Sequence, residues 1–377
     1  MSELKVNSIK GTGASTAAIT IDSSSGGCTA NITNNLSNRR ININGAALVN
    51  QRGDVTGITS TGYYGPDRLR TTIYGGTFSF SRAASGSTLP EFPRCFKIDC
   101  TSAASAPTGT QECKIGYDME GQDVQHLNYG SSSAKKTTLT FYIRSNKTET
   151  YTVWYYRPDG NRMNAVNFTV SSANTWEKKT ITIDGDTSNA IADDNTSGLK
   201  FEFVLASGTG FKSGSALNGT WADLVNVNRY VGNTGTFGQS TDDVVEITGI
   251  QFEVGEHATD FEHRTFGQEL ALCCRYFYGA TDTIAGIFIA DNADTDSAYG
   301  GIQFPVIMRA APTVIFGDNA GNNAGVVTQH GAAHGIAATA GDIGKHGIGK
   351  CAKNSGNWDT GSAKPIAAKI VSADAEL

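Results

Sequence analysis

Residues 244–278, VVEITGIQFEVGEHATDFEHRTFGQELALCCRYFY, shift their hydrophobic phase once and their period once, and those two changes limit what the chain can build. Val245 and Ile247 alternate with polar neighbours, and Ile250, Phe252 and Val254 then alternate in the opposite phase. Successive side chains of a strand point to opposite faces, so an uncorrected phase change would send the second set to the wrong side. The change falls at Gly249, where one extra residue in a bulge restores a common buried face. From Thr265 the period becomes helical. Thr265 and Gln268 have the capping-box pattern, and Leu270, Cys273, Cys274 and Phe277 recur at helical spacing until Gly279. The pattern predicts the closing strand of a β-domain, a short helix over 266–278, and a new unit beyond it.

Ahead of this joint the strand pattern is regular. Leu139, Phe141 and Ile143 alternate with polar partners, as do Tyr151, Val153 and Tyr155. Val166, Phe168 and Val170 follow, then Ile181 and Ile183, then Leu199, Phe201, Phe203 and Leu205. Turn signals such as PDGN at 158–161 and DGD at 184–186 separate the runs, which is the spacing of an antiparallel sandwich with one face of each strand buried. Composition agrees: 18% charged residues and 44 glycines suit short strands and turns better than long surface helices. The fold class expected is mainly β, with four parts. An extended N-terminal arm (1–44) precedes a jelly-roll sandwich (45–264), a linking helix (265–279) and a smaller C-terminal β domain (280–377). The arm carries only short apolar pieces (LKVNSI, AAITI, ANITNNL), too short to bury a core alone. It is either disordered or adds strands to other chains. In the last part the best strands are 284–290, 301–308 and 313–316; 317–349 is expected to be loop and thin turns, and 366–373 a closing strand. Its scarcity of large apolar residues points to a partner chain completing the core.

Several function classes are disfavoured. A net charge of −6 with no basic block argues against a nucleic-acid partner. MSELKVNSIKGTG lacks the apolar core of a signal peptide, and no run is long enough to span a membrane, so synthesis in a cytoplasm without membrane insertion is expected. Seven cysteines at irregular spacing, with no CxxC, suggest free buried thiols; a pairing among Cys95, Cys100 and Cys113 stays open. GKHGIGK at 344–350 has phosphate-loop spacing, but Cys351 stands where Ser or Thr would ligate magnesium. His330 and His334 lie in a glycine-flanked stretch without a general base, and DNADTD at 291–296 lacks the glycine and distal glutamate of a calcium loop, so neither metal nor cofactor is expected. His257 and His263 are expected at the surface. The adjacent pairs Asp193–Asp194 and Asp242–Asp243 point to opposite faces of any strand, and no nucleophile elbow or long β-helix is present, so the chain is not expected to be an enzyme.

Aromatic residues remain. In YTVWYYRPDGN one alternating set must be core; Trp154 and Tyr156, on the other face, could stack on a sugar ring, with Arg157 and Asp159 in the next turn for its hydroxyls. Trp221 and Tyr230 stand in a long Gly- and Asn-rich connection suited to a binding loop, and Tyr63 and Tyr64 are similar.

FEVGEHATDFEHRTFGQELALCCRYF resembles the segment that follows a carbohydrate-binding-like sandwich in tail-fibre-type proteins of phages, marine phages especially. NRRININGAALVNQRG (38–53), the run from KIGYDMEGQDVQHL through ANTWEKKTITIDGDT, QFPVIMRAAPTV (303–314) and the closing DAEL resemble the same family. The resemblance implies a virion protein: a short homotrimeric tail fibre, mounted on other virion proteins through residues 1–44 and attaching to a host-surface glycan. A capsid-decorating fibre is the alternative, and a glycan-degrading spike a further one.

Overall fold

The computed structural model describes residues 6, 8–10, 12, 18–21, 28–30, 38–279, 288–292, 297–317, 326–329, 336–353 and 366–377. Most of 1–37, His330, His334 and residues 293–296 of the acidic run lie outside them.

Two antiparallel sheets form a jelly-roll sandwich. The six-stranded sheet runs in the order Glu177–Ile183, Thr137–Ser145, Val244–Val254, Arg94–Ser102, Thr77–Ala84 and Val55–Ile58. The seven-stranded sheet runs Ala222–Asp223, Arg162–Thr169, Thr150–Arg157, Ser197–Ser207, Glu112–Glu120, Arg70–Thr72 and Gly62–Tyr63. The alternation expected from sequence places the core. Leu139, Phe141, Ile143, Tyr151, Val153, Phe201 and Phe203 are all buried between the sheets. Each such side chain contributes about 1.5–3 kcal/mol by leaving water.

The bulge lies where the phase change requires it. Ile247 faces Ile143 and Thr248 faces Tyr142, but Gln251 faces Thr140, so Gly249 and Ile250 together oppose Phe141. Gly249 takes φ +60°, a conformation glycine adopts without steric cost. Val245, Ile247, Ile250 and Phe252 consequently share the buried face, while Val254, at the strand's end, is exposed.

The bulge also frees an edge. Arg94–Ser102 pairs with residues 244–247 and no further. Past Gly249 its place is taken by residues 41–45. The Ile41 N–H donates to Phe252 O at 2.9 Å and the Ile250 N–H to Gly45 O at 2.9 Å. The Asn42 side chain joins the same strand twice, accepting from the Phe252 N–H and donating to Ile250 O, each at 2.8 Å. Residues 38–44, counted with the N-terminal arm on sequence grounds, therefore pack against the sandwich.

The helix is Phe266–Cys274, and both arms of the Thr265/Gln268 capping box are formed. It stops earlier than its periodicity suggests, because Phe277–Gly279 is drawn into a strand beside Ile366–Asp374. A second sheet includes these two strands, Phe288–Asn292, Ser297–Gln303, Gly347–Lys353, Ile336–Gly344 and Val326–Gln329, with Thr313–Gly317 also on Ile366–Asp374. Its core holds Ile302, Phe304, Met308, Phe316, Ile348 and Ile370. Two expectations change here. The 317–349 stretch contains strands built from Ala and Gly, whose pairing supplies what side-chain patterning lacks. GKHGIGK is a hairpin, with Gly344 opposite Gly347 across Lys345–His346. Pro305 follows the end of its strand instead of lying within it.

Buried charges tie this second sheet to the sandwich. The Arg68 guanidinium, fully buried, pairs with the Glu376 carboxylate, lies 3.4 Å from the Tyr276 ring centroid and donates to Asp118 O at 2.7 Å. Arg52 reaches Glu376 at 3.4 Å and Asp374 at 3.3 Å. Arg309 donates to Ala375 O, Glu376 O and Asn195 O at 2.7, 2.8 and 2.9 Å. Arg275 and the Tyr276 hydroxyl both bond the buried Glu120 carboxylate. Glu376→Ala leaves Arg68 charged and buried without its counter-ion, and is expected to lower the free energy of unfolding by about 3–5 kcal/mol. Arg68→Met/Glu376→Leu should lose clearly less, and chemical denaturation of the two variants checks the difference.

Candidate functional site

Behind Gly249, on the outer face of the six-stranded sheet, lies a groove of about 350 Å³. Its floor is Thr140, Tyr142, Gly249 and Gln251; its walls are Glu91 and Phe92 on one side and Thr259, Asp260, Phe261 and His263 on the other, with Lys178 at the rim. The bulge makes this floor. A Cβ on Gly249 would stand 2.8 Å from Phe92 Cζ and 2.9 Å from Tyr142 Cδ2, so only glycine lets the two rings close over the backbone. Their centroids are 5.2 Å apart.

Phe92 is wholly buried and serves as a post. Phe261 meets it edge-on at 4.8 Å, and His263 stacks on it at 5.5 Å. Phe261 and Tyr142 are half-buried and His263 is exposed, so these three present ring surface to the groove. The Tyr142 hydroxyl donates to Glu91 Oε1 at 3.0 Å, and the Lys178 ammonium lies 5.9 Å from the Tyr142 ring centroid. Burial first, then the Glu91 hydrogen bond and charge, push the Tyr142 phenol up to about 12. The Thr140 hydroxyl is buried and has no hydrogen-bond partner among the described residues.

The 259–263 wall is held from the strand beneath it. Glu253 accepts from the Thr259 N–H and hydroxyl at 3.0 and 2.6 Å. The Gln251 side chain donates to Asp260 O at 3.2 Å and accepts from the Glu262 N–H at 2.7 Å. Aromatic surface, carboxylates, an amide, hydroxyls and one ammonium thus converge on a preformed concavity. Such a site stacks on an apolar ring face and bonds polar groups around its edge.

The residues expected from sequence to bind sugar do not meet there. Trp154, Tyr156 and Tyr230 come together on the outer face of the other sheet. Trp154 stacks on Tyr156 at 5.1 Å and meets Tyr230 edge-on at 5.9 Å. Trp154 is 3% exposed and Tyr230 0%, because Phe211, Arg229 and Tyr230 cover that face, with Arg229 4.6 Å from the Trp154 ring centroid. The Tyr230 hydroxyl donates to Glu112 at 2.6 Å. Arg157 is also fully buried, paired with Asp186 and donating to Ser188 O at 2.8 Å, so it braces the 186–189 turn. Asp159 is exposed and accepts from the Ala192 N–H at 2.9 Å. Trp221 is half-buried, donates to Asp184 O at 2.8 Å and sets its edge against Tyr129. Tyr63 donates to Leu377 O, and Tyr64 stacks on Phe80. Cys95, Cys100, Cys113, Cys273, Cys274 and Cys351 are buried free thiols. Among the described residues no group of three or more His, Cys, Asp or Glu is placed to hold a metal.

Tyr142 had a legible signal. In TLTFYIRS the inward phase is Leu139, Phe141 and Ile143, and Tyr142 is an aromatic in the outward, polar phase. Its convergence with Phe92 and Phe261, on separate loops far from it in the chain, had none.

No family model matches this chain, and no curated protein matches it. Among solved structures it is similar to a protein of Bacteroides thetaiotaomicron provisionally described as sugar binding, at 13% identity over 58% of this chain and 100% of that one, TM-score 0.34. It is similar to the enzymatically active domain of tailspike protein 4 of Bacteriophage CBA120, at 10% identity over 57% of this chain and 21% of that one, TM-score 0.28. It is also similar to a family 11 carbohydrate-binding module of a Clostridium thermocellum cellulase, at 12% identity over 54% of this chain and 97% of that one, TM-score 0.25.

Two outcomes follow from this geometry. Gly249→Ala forces a side chain into positive φ and against both rings; a loss of about 1–3 kcal/mol in denaturant unfolding is expected. Glu91→Gln removes the charge that helps hold the Tyr142 proton, so the phenol should titrate below about 12. Because the folded pKa lies above the unfolded one, any stability linked to Tyr142 is intact below about pH 10 and falls as the pH rises toward 12. Ultraviolet titration of the variant, differenced against Tyr142→Phe, checks the direction.

Proposed function

We propose that this chain binds a neutral glycan in the groove over Gly249 and does not cleave it. The observation that carries the reading is the convergence of Tyr142, Phe261 and His263 on a floor of buried polar groups, one of which, the Thr140 hydroxyl, has no partner among the described residues. Sugar rings offer both halves of the complement: an apolar C–H face for the aromatic surface and hydroxyls for the rim. Glu91 and Asp260 outnumber Lys178 in the lining, and the chain as a whole carries −6, so polyanionic glycans are disfavoured.

The setting we propose follows the sequence resemblance. The chain is a virion protein, a short homotrimeric phage tail fibre whose N-terminal segment joins other virion proteins and whose groove meets a host-surface glycan. A small open groove gives weak contacts, and three copies on one appendage multiply them through effective concentration.

A printed array of neutral and anionic glycans, followed by calorimetry on the best ligand, tests the groove. Neutral glycans should be retained, and Tyr142→Ala should weaken binding about tenfold, the equivalent of about 1.4 kcal/mol of lost stacking. Trp154→Phe should leave affinity unchanged. Equal binding by Tyr142→Ala and the parent chain would falsify the groove reading, and release of shorter sugars during prolonged incubation would overturn the non-catalytic part.

A further inference from the structure

The groove's outer wall is clasped by the stretch of chain at which the N-terminal segment enters the sandwich. Glu262, between Phe261 and His263, accepts from the backbone N–H groups of Asn38 and Arg40, the latter at 2.7 Å. Arg39 donates to Asp260 O at 3.4 Å and lies 4.0 Å from Glu253, the carboxylate that holds Thr259. The Arg40 guanidinium sits 4.8 Å from the Phe261 ring centroid and pairs with Glu269 of the helix, both side chains being buried. Arg264 closes the clasp by donating to Arg40 O and Asn42 O. Asp260, Phe261 and Glu262, three consecutive residues of the wall, are thus each contacted by Arg39, Arg40 or Asn38.

We infer that residues 38–40 regulate this groove as positioning residues, coupling the ligand's grip to the state of the chain N-terminal to them. The inference rests on the reading of the groove as a glycan site. Phe261 presents its ring to the ligand only while the 260–262 backbone stays down on the sheet; Gln251 and Glu253 hold it from the strand beneath, and Glu262 adds a second hold from outside through Asn38 and Arg40. Displacing residue 38 outward releases Glu262 and loosens the wall to its remaining anchors on Gln251 and Glu253. The coupling is reciprocal: a ligand that holds the wall down tightens the clasp by the same factor. In an appendage mounted through its N-terminal segment, the manner of mounting then sets how strongly each copy grips.

The test uses the full chain and two variants. Glu262→Ala removes the acceptor for both backbone N–H groups but leaves the Arg40–Glu269 pair and the 41–45 pairing intact; Arg39→Ala loosens the same wall without touching Glu262. The probe is the neutral array glycan best retained by the parent chain. Each variant should bind it about tenfold more weakly, with hydrogen exchange rising together in 38–41 and 259–263. In the parent chain, bound glycan should slow exchange at 38–41, a response that a merely structural role for these residues does not produce. Retention by the parent, loss by Tyr142→Ala and parent-like affinity of both variants would overturn the coupling while leaving the groove reading standing. If the parent retains no glycan, the groove reading fails, and exchange in the variants still decides the clasp: acceleration in 38–41 alone, with 259–263 unchanged, overturns it.

Discussion

One extra residue at Gly249 organises the sandwich. Without it the second half of Val244–Val254 would turn Ile250 and Phe252 to solvent, since a one-residue slip exchanges the faces of a strand. With it, three things follow from a single local conformation. The core phase is kept, with Ile247 and Ile250 both buried. The edge beyond the bulge parts from Arg94–Ser102 and accepts residues 41–45 in its place. The outer surface gains a spot with no side chain, over which Phe92 and Tyr142 close. Bulges re-aim side chains and end pairings; here both effects serve one site.

The second constraint is electrostatic. Arg40–Glu269, Arg68–Glu376 and Arg157–Asp186 are ion pairs with both partners withdrawn from water. Their Coulomb attraction is largely spent on desolvation, so they add little net stability over well-packed apolar side chains. Their effect here is to fix position. Each leaves a buried charge uncompensated if its partner moves, and each joins segments far apart in sequence. Arg68 and Glu376 set the second sheet on the sandwich, and Arg40 and Glu269 set the helix on the segment that clasps the groove. Burial first, and then the neighbouring Arg264 charge, pull the Arg40 guanidinium down to about 10, still far enough above neutrality for the pair to stay ionised under ordinary conditions.

The parts of this architecture legible from sequence are those encoded by local period. Alternation located the sandwich strands, the phase change located the bulge, and the Thr265–Gln268 spacing located the helix start. The helix end was not legible, because Phe277–Gly279 is claimed by a strand almost a hundred residues away. Nor were the Ala- and Gly-rich strands Ile336–Gly344 and Gly347–Lys353, whose side chains are too small to declare a face. The surroundings of the candidate sugar-binding residues were not legible, for another reason. Trp154 and Tyr230 satisfy every sequence criterion for stacking residues, outward phase and a loop rich in Gly and Asn, yet each covers the other. An outward aromatic is available to a ligand only if nothing else in the chain covers it, and covering is a tertiary property.

That difference between the two outer faces bears on what the molecule can bind. On the seven-stranded sheet, Phe211, Arg229 and Tyr230 lie over the strands, and the Trp154 ring is taken up by intramolecular packing, its indole N–H buried without an acceptor among the described residues. On the six-stranded sheet the corresponding cover stops at Phe92 and Phe261, which stand at the sides of Tyr142. Gly249 contributes to the difference: with no side chain there, Phe92 closes over the backbone beside Tyr142, and Thr259, Asp260, Phe261 and His263 stand beside them as a wall. A wall anchored by Gln251, Glu253 and the 38–40 clasp keeps the concavity open before any ligand arrives, which spares the ordering entropy that a collapsed loop would have to give up on binding.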